Sequence, residues 1–146
     1  MRELPRKLTV EELAELFEGR TRLVDRLAEI EDPLERADDV LAEIDEADKL
    51  EALAAHPAIG RQTGLSATSA AEQGSDADPC VLTELAVLNA AYERKFGFRF
   101  VVFVNRRPKS EILAVLRQRL GRTREEELDT GCRELVAIAR DRWTRT

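Results

Sequence analysis

One run in this chain has the composition of a β-strand: Phe98-Arg99-Phe100-Val101-Val102-Phe103-Val104, aromatic and β-branched. No second run of that kind is evident, and one strand cannot make a sheet. Its backbone N–H and C=O groups must therefore find partners other than a neighbouring strand. The rest reads as helix. The sequence thus predicts an all-α fold: one domain over residues 1–146, of seven or eight helices with one short extended segment near 98–104.

The helices are punctuated by four start signals. Thr9-Val10-Glu11-Glu12 and Thr123-Arg124-Glu125-Glu126 are capping boxes, in which a threonine hydroxyl and a glutamate satisfy each other's free backbone N–H groups. Leu8 and Leu13 are spaced to staple the first box. Asp32-Pro33 and Asp78-Pro79 each offer an N-cap followed by proline, whose missing N–H costs nothing in the first turn. These signals predict a helix to about Glu18, a second over 20–31, and a third from Pro33 carrying Leu34, Ala37, Val40, Leu41 and Ile44. A helix over 47–55 should end at His56, because Pro57 disfavours helical geometry there. Leu82, Leu85, Asn89, Tyr92 and Phe96 mark a helix of about five turns stopped by Gly97. Two more follow, one opened by Pro108 and one from Thr123 to the C-terminal end. Residues 58–78, rich in Gly, Ser, Thr and Ala, read as a functional loop with a short helix near 69–73.

Composition removes several function classes. With 146 residues, 43% hydrophobic and 36% charged, the chain can bury a core and is not disordered. Lys plus Arg is 23 against 29 for Asp plus Glu, a net charge of −6, which argues against nucleic acid as partner. No segment is long and apolar enough for a membrane span, and no secretory leader is evident. Cys80 and Cys132 form no C-x-x-C, which fits reduced thiols, no cysteine-based metal site and a cytoplasmic protein.

His56 is the single histidine, and near-neutral acid–base work would fall to it; a surface or helix-cap histidine is the structural alternative. Ser69-Ala70-Ala71-Glu72-Gln73 is by itself a capping box. Its functional reading has Glu72 orienting His56, with Ser69 and Gln73 hydrogen-bonding a polar ligand. Residues 98–104 read as core, or as an edge whose amides and carbonyls hold a flat ligand. Among the arginines of the last stretch, Arg133, Arg140, Arg142 and Arg145, spacing does not select a carboxylate anchor. No P-loop, G-x-G-x-x-G, H-E-x-x-H or nucleophile elbow is present.

Three segments in order carry a resemblance: His56-Pro57-Ala58-Ile59-Gly60; Ser69-Ala70-Ala71-Glu72-Gln73; and Leu88-Asn89-Ala90-Ala91-Tyr92-Glu93-Arg94-Lys95-Phe96-Gly97-Phe98-Arg99-Phe100. Together they resemble the 2-oxo-4-hydroxy-4-carboxy-5-ureidoimidazoline (OHCU) decarboxylase family, which catalyses the last step from urate to (S)-allantoin. Glu111-Ile112-Leu113-Ala114, Arg119-Leu120-Gly121, Glu125-Glu126-Glu127-Leu128 and Ile138-Ala139-Arg140-Asp141-Arg142 extend the likeness over essentially the whole chain. The resemblance implies an all-helical enzyme without cofactor or metal, often dimeric, acting on a small molecule. It also implies functional coupling to hydroxyisourate hydrolase and a urate-oxidising enzyme. Position by position it implies His56 as catalytic acid and Glu72 as its partner. It implies Pro57, Ser69, Gln73 and the backbone of Phe100, Val101, Val102, Phe103 and Val104 as substrate contacts. Arg142 matches the family's substrate-binding arginine, with Arg140 its nearby competitor. The chain departs from the family pattern at Arg99, where proline is common, at Ala58-Ile59, where Asp-Leu is common, and in a shortened stretch around 74–78. The rival readings are a decarboxylase of a related small ureido acid and a non-enzymatic helical interaction module. An enzyme requires His56, Glu72, Ser69 and Arg142 to converge; a module would leave them dispersed.

Overall fold

A computed structural model describes residues 3–59 and 78–145. They form seven α-helices: α1 (Val10–Leu16), α2 (Arg22–Ala28), α3 (Ala37–Glu43), α4 (Glu46–Ala54), α5 (Pro79–Phe96), α6 (Lys109–Arg119) and α7 (Arg124–Arg145). Both capping boxes form. Thr9 and Glu12 exchange bonds of 3.0 and 3.1 Å, as do Thr123 and Glu126. Asp78 caps α5 by accepting from the Cys80 N–H, and Gly97 ends it at φ +83°, a conformation glycine adopts without a Cβ penalty.

The Asp32-Pro33 signal fails. Asp32 donates its N–H to the Arg6 carbonyl (2.8 Å) and sits at φ +52°, outside the extended region an N-cap needs. Residues 33–35 form a turn instead, and the helix begins four residues later, at Ala37. The first two helices are also shorter than the apolar spacing suggested, α1 ending at Leu16 and α2 at Ala28.

The last helix, α7, organises the molecule. It packs against α1, α3, α4 and α5, while α5 pairs with α6. Leu128, Cys132, Leu135, Val136, Ile138 and Ala139 of α7 are all buried. Gly131 admits α4 closely: a Cβ there would lie 3.2 Å from Leu53 Cδ2. Between α5 and α6 the extended segment lies in the core with no ladder partner among the described residues; Phe98, Phe100, Val101, Val102 and Val104 are buried.

Side chains supply what a sheet would have supplied. Arg119 Nη1 donates to Val101 O (2.8 Å), and Glu134 of α7 accepts from Phe103 N–H (3.2 Å). Arg107 turns back onto Phe103 O (2.6 Å) and Val104 O (3.1 Å). The Arg119 guanidinium also lies 4.6 Å from the Phe100 ring centroid and pairs with fully buried Glu127 at 2.7 Å. Glu127 accepts from the Tyr92 hydroxyl at 2.6 Å, so α5, α6, α7 and the extended segment share one buried polar network.

Candidate active site

The end of α4 presents His56. Its N–H reaches back to Leu53 O (3.3 Å), and Pro57 prevents another helical turn. Two residues on, the Ile59 carbonyl accepts from Nδ2 of buried Asn89 on α5 (3.0 Å), which fixes the chain leaving the histidine. His56 is 5% exposed, and its Nε2 has no hydrogen-bond partner among the described residues. Burial, and then the positive charge of Arg142, push the ring's pKa down to about 4 from its ordinary 6.5; Glu18 opposes this and Arg99 adds to it. The ring is therefore neutral near pH 7.

Arg142 comes from the C-terminal end of α7 and is itself 4% exposed. Nη1 donates to Leu16 O (3.1 Å) and Nη2 pairs with Glu18 Oε1 (3.0 Å), so the guanidinium is held at the C-terminal end of α1. Arg140, two positions earlier, faces elsewhere: it donates to Leu34 O (2.8 Å) and Glu35 O (3.1 Å) and lies 3.5 Å from Asp38. The arrangement puts Arg142, not Arg140, beside His56.

Of the other expected site residues, Pro57 is half-buried next to His56, and Phe100 to Val104 form the extended segment already described. Four of that segment's backbone groups, Val101 O, Phe103 N–H, Phe103 O and Val104 O, are engaged by protein side chains. Ser69, Glu72 and Gln73 lie outside the described residues, as do the expected short helix near 69–73 and nearly all of the shortened stretch. No cluster of metal-ligating side chains occurs among the described residues.

Sequence reasoning passed over two charged groups. Glu18 sits at φ +67° directly after the α1 C-cap, where Gly19 N–H reaches back to Ala14 O (2.9 Å). Glycine is the usual occupant of such a position. A glutamate there beside a glycine was the available signal. Arg99, noted only as a departure, donates through Nη1 to Ala54 O (3.2 Å) and to His56 O.

Comparison with known proteins decides the family. The sequence model of the family described as OHCU decarboxylase matches residues 2–144. The chain belongs to the OHCU decarboxylase family. Among its relatives, the 2-oxo-4-hydroxy-4-carboxy-5-ureidoimidazoline decarboxylase of Halalkalicoccus jeotgali is 32% identical over 95 residues, 62% of this chain and 54% of that protein. The Haloferax volcanii protein of the same name is 32% identical over 62% of this chain and 56% of its own length. The uric acid degradation bifunctional protein TTL of Arabidopsis thaliana is 31% identical over 65% of this chain. These matches span about half the length of the two archaeal proteins and 32% of the plant one. A crystal structure of an OHCU decarboxylase in the presence of (S)-allantoin superposes with a TM-score of 0.75 at 25% identity, over 92% of this chain and 96% of that one. A second, of (S)-allantoin synthase, gives 0.70 at 22% identity, over 91% of this chain and 47% of that one, and shares the fold.

Proposed function

We propose that this chain decarboxylates 2-oxo-4-hydroxy-4-carboxy-5-ureidoimidazoline to (S)-allantoin without a cofactor. One observation carries the reading: a buried imidazole nitrogen without a protein partner among the described residues lies beside a buried arginine, in a chain of this family. A buried polar atom left unpaired is costly, and a ligand hydroxyl or ring nitrogen would satisfy it.

The substrate supplies its own electron sink. The bond from the ring carbon to the carboxylate breaks and CO₂ leaves. The electron pair enters the ring through the adjacent C=N, whose nitrogen takes one proton from solvent. The hydroxyl then gives up its proton as the carbonyl forms, and a proton arrives at the carbon bearing the ureido group. A ring held neutral at pH 7 donates only after it has accepted. We therefore assign His56 the transfer of the hydroxyl proton to that carbon, from one face, which yields a single enantiomer. Arg142 anchors the carboxylate or the charge developing on the ring. Glu72 orients the imidazole, and Pro57, Ser69, Gln73 and the backbone of residues 100–104 shape the substrate's seat. The proposal extends to a homodimer, because the family is often dimeric, and to the cytoplasm, which the cysteine usage fits. The protein takes its substrate from a hydroxyisourate hydrolase that follows a urate-oxidising enzyme.

The test is circular dichroism at an allantoin-sensitive wavelength. Urate oxidase and hydroxyisourate hydrolase generate the short-lived substrate in the cuvette, with and without this protein. A protein-dependent rise of the (S)-allantoin signal is expected. A trace that follows the spontaneous, racemic decay at all protein concentrations would refute the assignment.

A further inference from the structure

The C-terminal end of a helix leaves carbonyls without intrahelical donors, and a cation there is favourable. At the end of α4 one such carbonyl, Ala54 O, and the carbonyl of His56 just beyond the Ala55 cap are both taken by Nη1 of Arg99. No nearer basic residue serves, since the last turn of α4 carries none. Arg99 is rigidly based. It stands between Phe98 and Phe100, both buried against Tyr92, with ring centroids 6.0 and 5.2 Å from that of Tyr92. Its Nε lies 3.5 Å from Glu93 of α5, which orients the guanidinium from the far side. The main chain of His56 is thereby held at both ends, its N–H by Leu53 and its carbonyl by Arg99.

We propose that Arg99 is a positioning residue for His56, its guanidinium locking the turn that carries the imidazole onto the extended segment between α5 and α6. The inference rests on the decarboxylase reading for its kinetic consequence only. A proton-transfer group displaced by a fraction of an ångström loses rate while the substrate is still bound. Arg99 also brings a positive charge toward the ring, along with Arg142 and against Glu18, the other described groups that act on it.

Because His56 is the single histidine, its ring signals in a proton–nitrogen or proton–carbon NMR spectrum need no assignment and report on it whether or not the protein turns over. The experiment compares wild type, Arg99→Lys and Arg99→Ala by that titration and by steady-state kinetics. Burial and Arg142 still hold the ring's pKa down in Arg99→Ala, so the loss of this smaller cationic contribution is expected to raise it only modestly from about 4. Arg99→Ala should also lower kcat by about tenfold or more with little change in KM. Arg99→Lys keeps the charge without the fork, so its titration should stay near wild type while kcat recovers in part. A folded Arg99→Ala protein with unchanged ring shifts, unchanged pKa and unchanged kcat would overturn the proposal. A wild-type protein without activity would defeat the decarboxylase reading alone; the NMR arm then decides the role of Arg99 by itself. If Arg99→Ala does not fold, Arg99→Gln takes its place, with the same shift expected and the same unchanged result overturning the idea.

Discussion

Arg142 and Arg140 lie two positions apart on α7 and meet different neighbours, and that difference is testable. Arg140 satisfies carbonyls of the turn before α3, whereas Arg142 is buried against Glu18 beside His56. Arg142→Lys keeps a charge but loses the planar fork, so KM should rise by about tenfold, corresponding to one charge-assisted hydrogen bond. Arg140→Lys should leave KM within about twofold, as expected for a contact outside the site. Equal effects in steady-state kinetics would mean that the wrong arginine was chosen. Glu18 accepts a left-handed backbone at a cost of about 1 kcal/mol relative to glycine, while its carboxylate pairs with Arg142. His56 makes a second prediction. Its folded pKa, about 4, lies below the unfolded 6.5, so between these values the unfolded chain binds a proton that the folded chain does not. The group's contribution is intact above pH 6.5 and is lost as pH falls to about 4, by about 3 kcal/mol at most. Urea titrations at pH 7 and pH 4 should therefore show a smaller acid loss for His56→Gln than for wild type; equal losses would contradict the buried neutral ring.

At the scale of elements, the extended segment is held by charged side chains instead of a sheet, and stability should be sensitive to them. Glu127 is fully buried against Arg119 and Tyr92. Glu127→Leu leaves the Arg119 charge buried with its main partner gone, and should cost about 3–5 kcal/mol in urea denaturation. Tyr92→Phe keeps the aromatic packing and removes one hydrogen bond, and should cost about 1–2 kcal/mol. If Glu127→Leu is no worse than Tyr92→Phe, the network is not what secures the segment. Thr123→Ala removes the cap of α7 and should cost about 1 kcal/mol. The elements themselves were largely legible, because capping boxes, the second Asp-Pro pair, Pro57, Pro108 and Gly97 act within a turn of their own positions. Asp32-Pro33 misled because a tertiary hydrogen bond from Asp32 to the Arg6 carbonyl overrode a local preference. The strand-like run was legible as extended and meets no strand among the described residues, but nothing local says that Arg119, Arg107 and Glu134 would engage its backbone.

Across the whole molecule, the candidate site draws on segments far apart in sequence: the ends of α1 and α4, the segment before α6 and the end of α7. Apolar spacing reports which face of a helix is buried, not which faces meet. For that reason the pairing of Glu18 with Arg142 and the reach of Arg99 to His56 were invisible before the fold. The choice of Arg142 over Arg140 came only from a likeness to known proteins. Family membership favours an enzyme over an interaction module; of the four groups whose convergence separates those readings, His56 and Arg142 lie near one another, while Ser69 and Glu72 fall outside the described residues. In the proposed mechanism His56 moves the proton that makes the product chiral. The most direct test is the initial rate and handedness of allantoin formation by His56→Gln, compared with wild type at equal folded concentration. The expected result is a fall of about 100-fold or more, with residual product approaching the racemate of the spontaneous reaction. A folded His56→Gln protein that still makes (S)-allantoin within tenfold of the wild-type rate would contradict it.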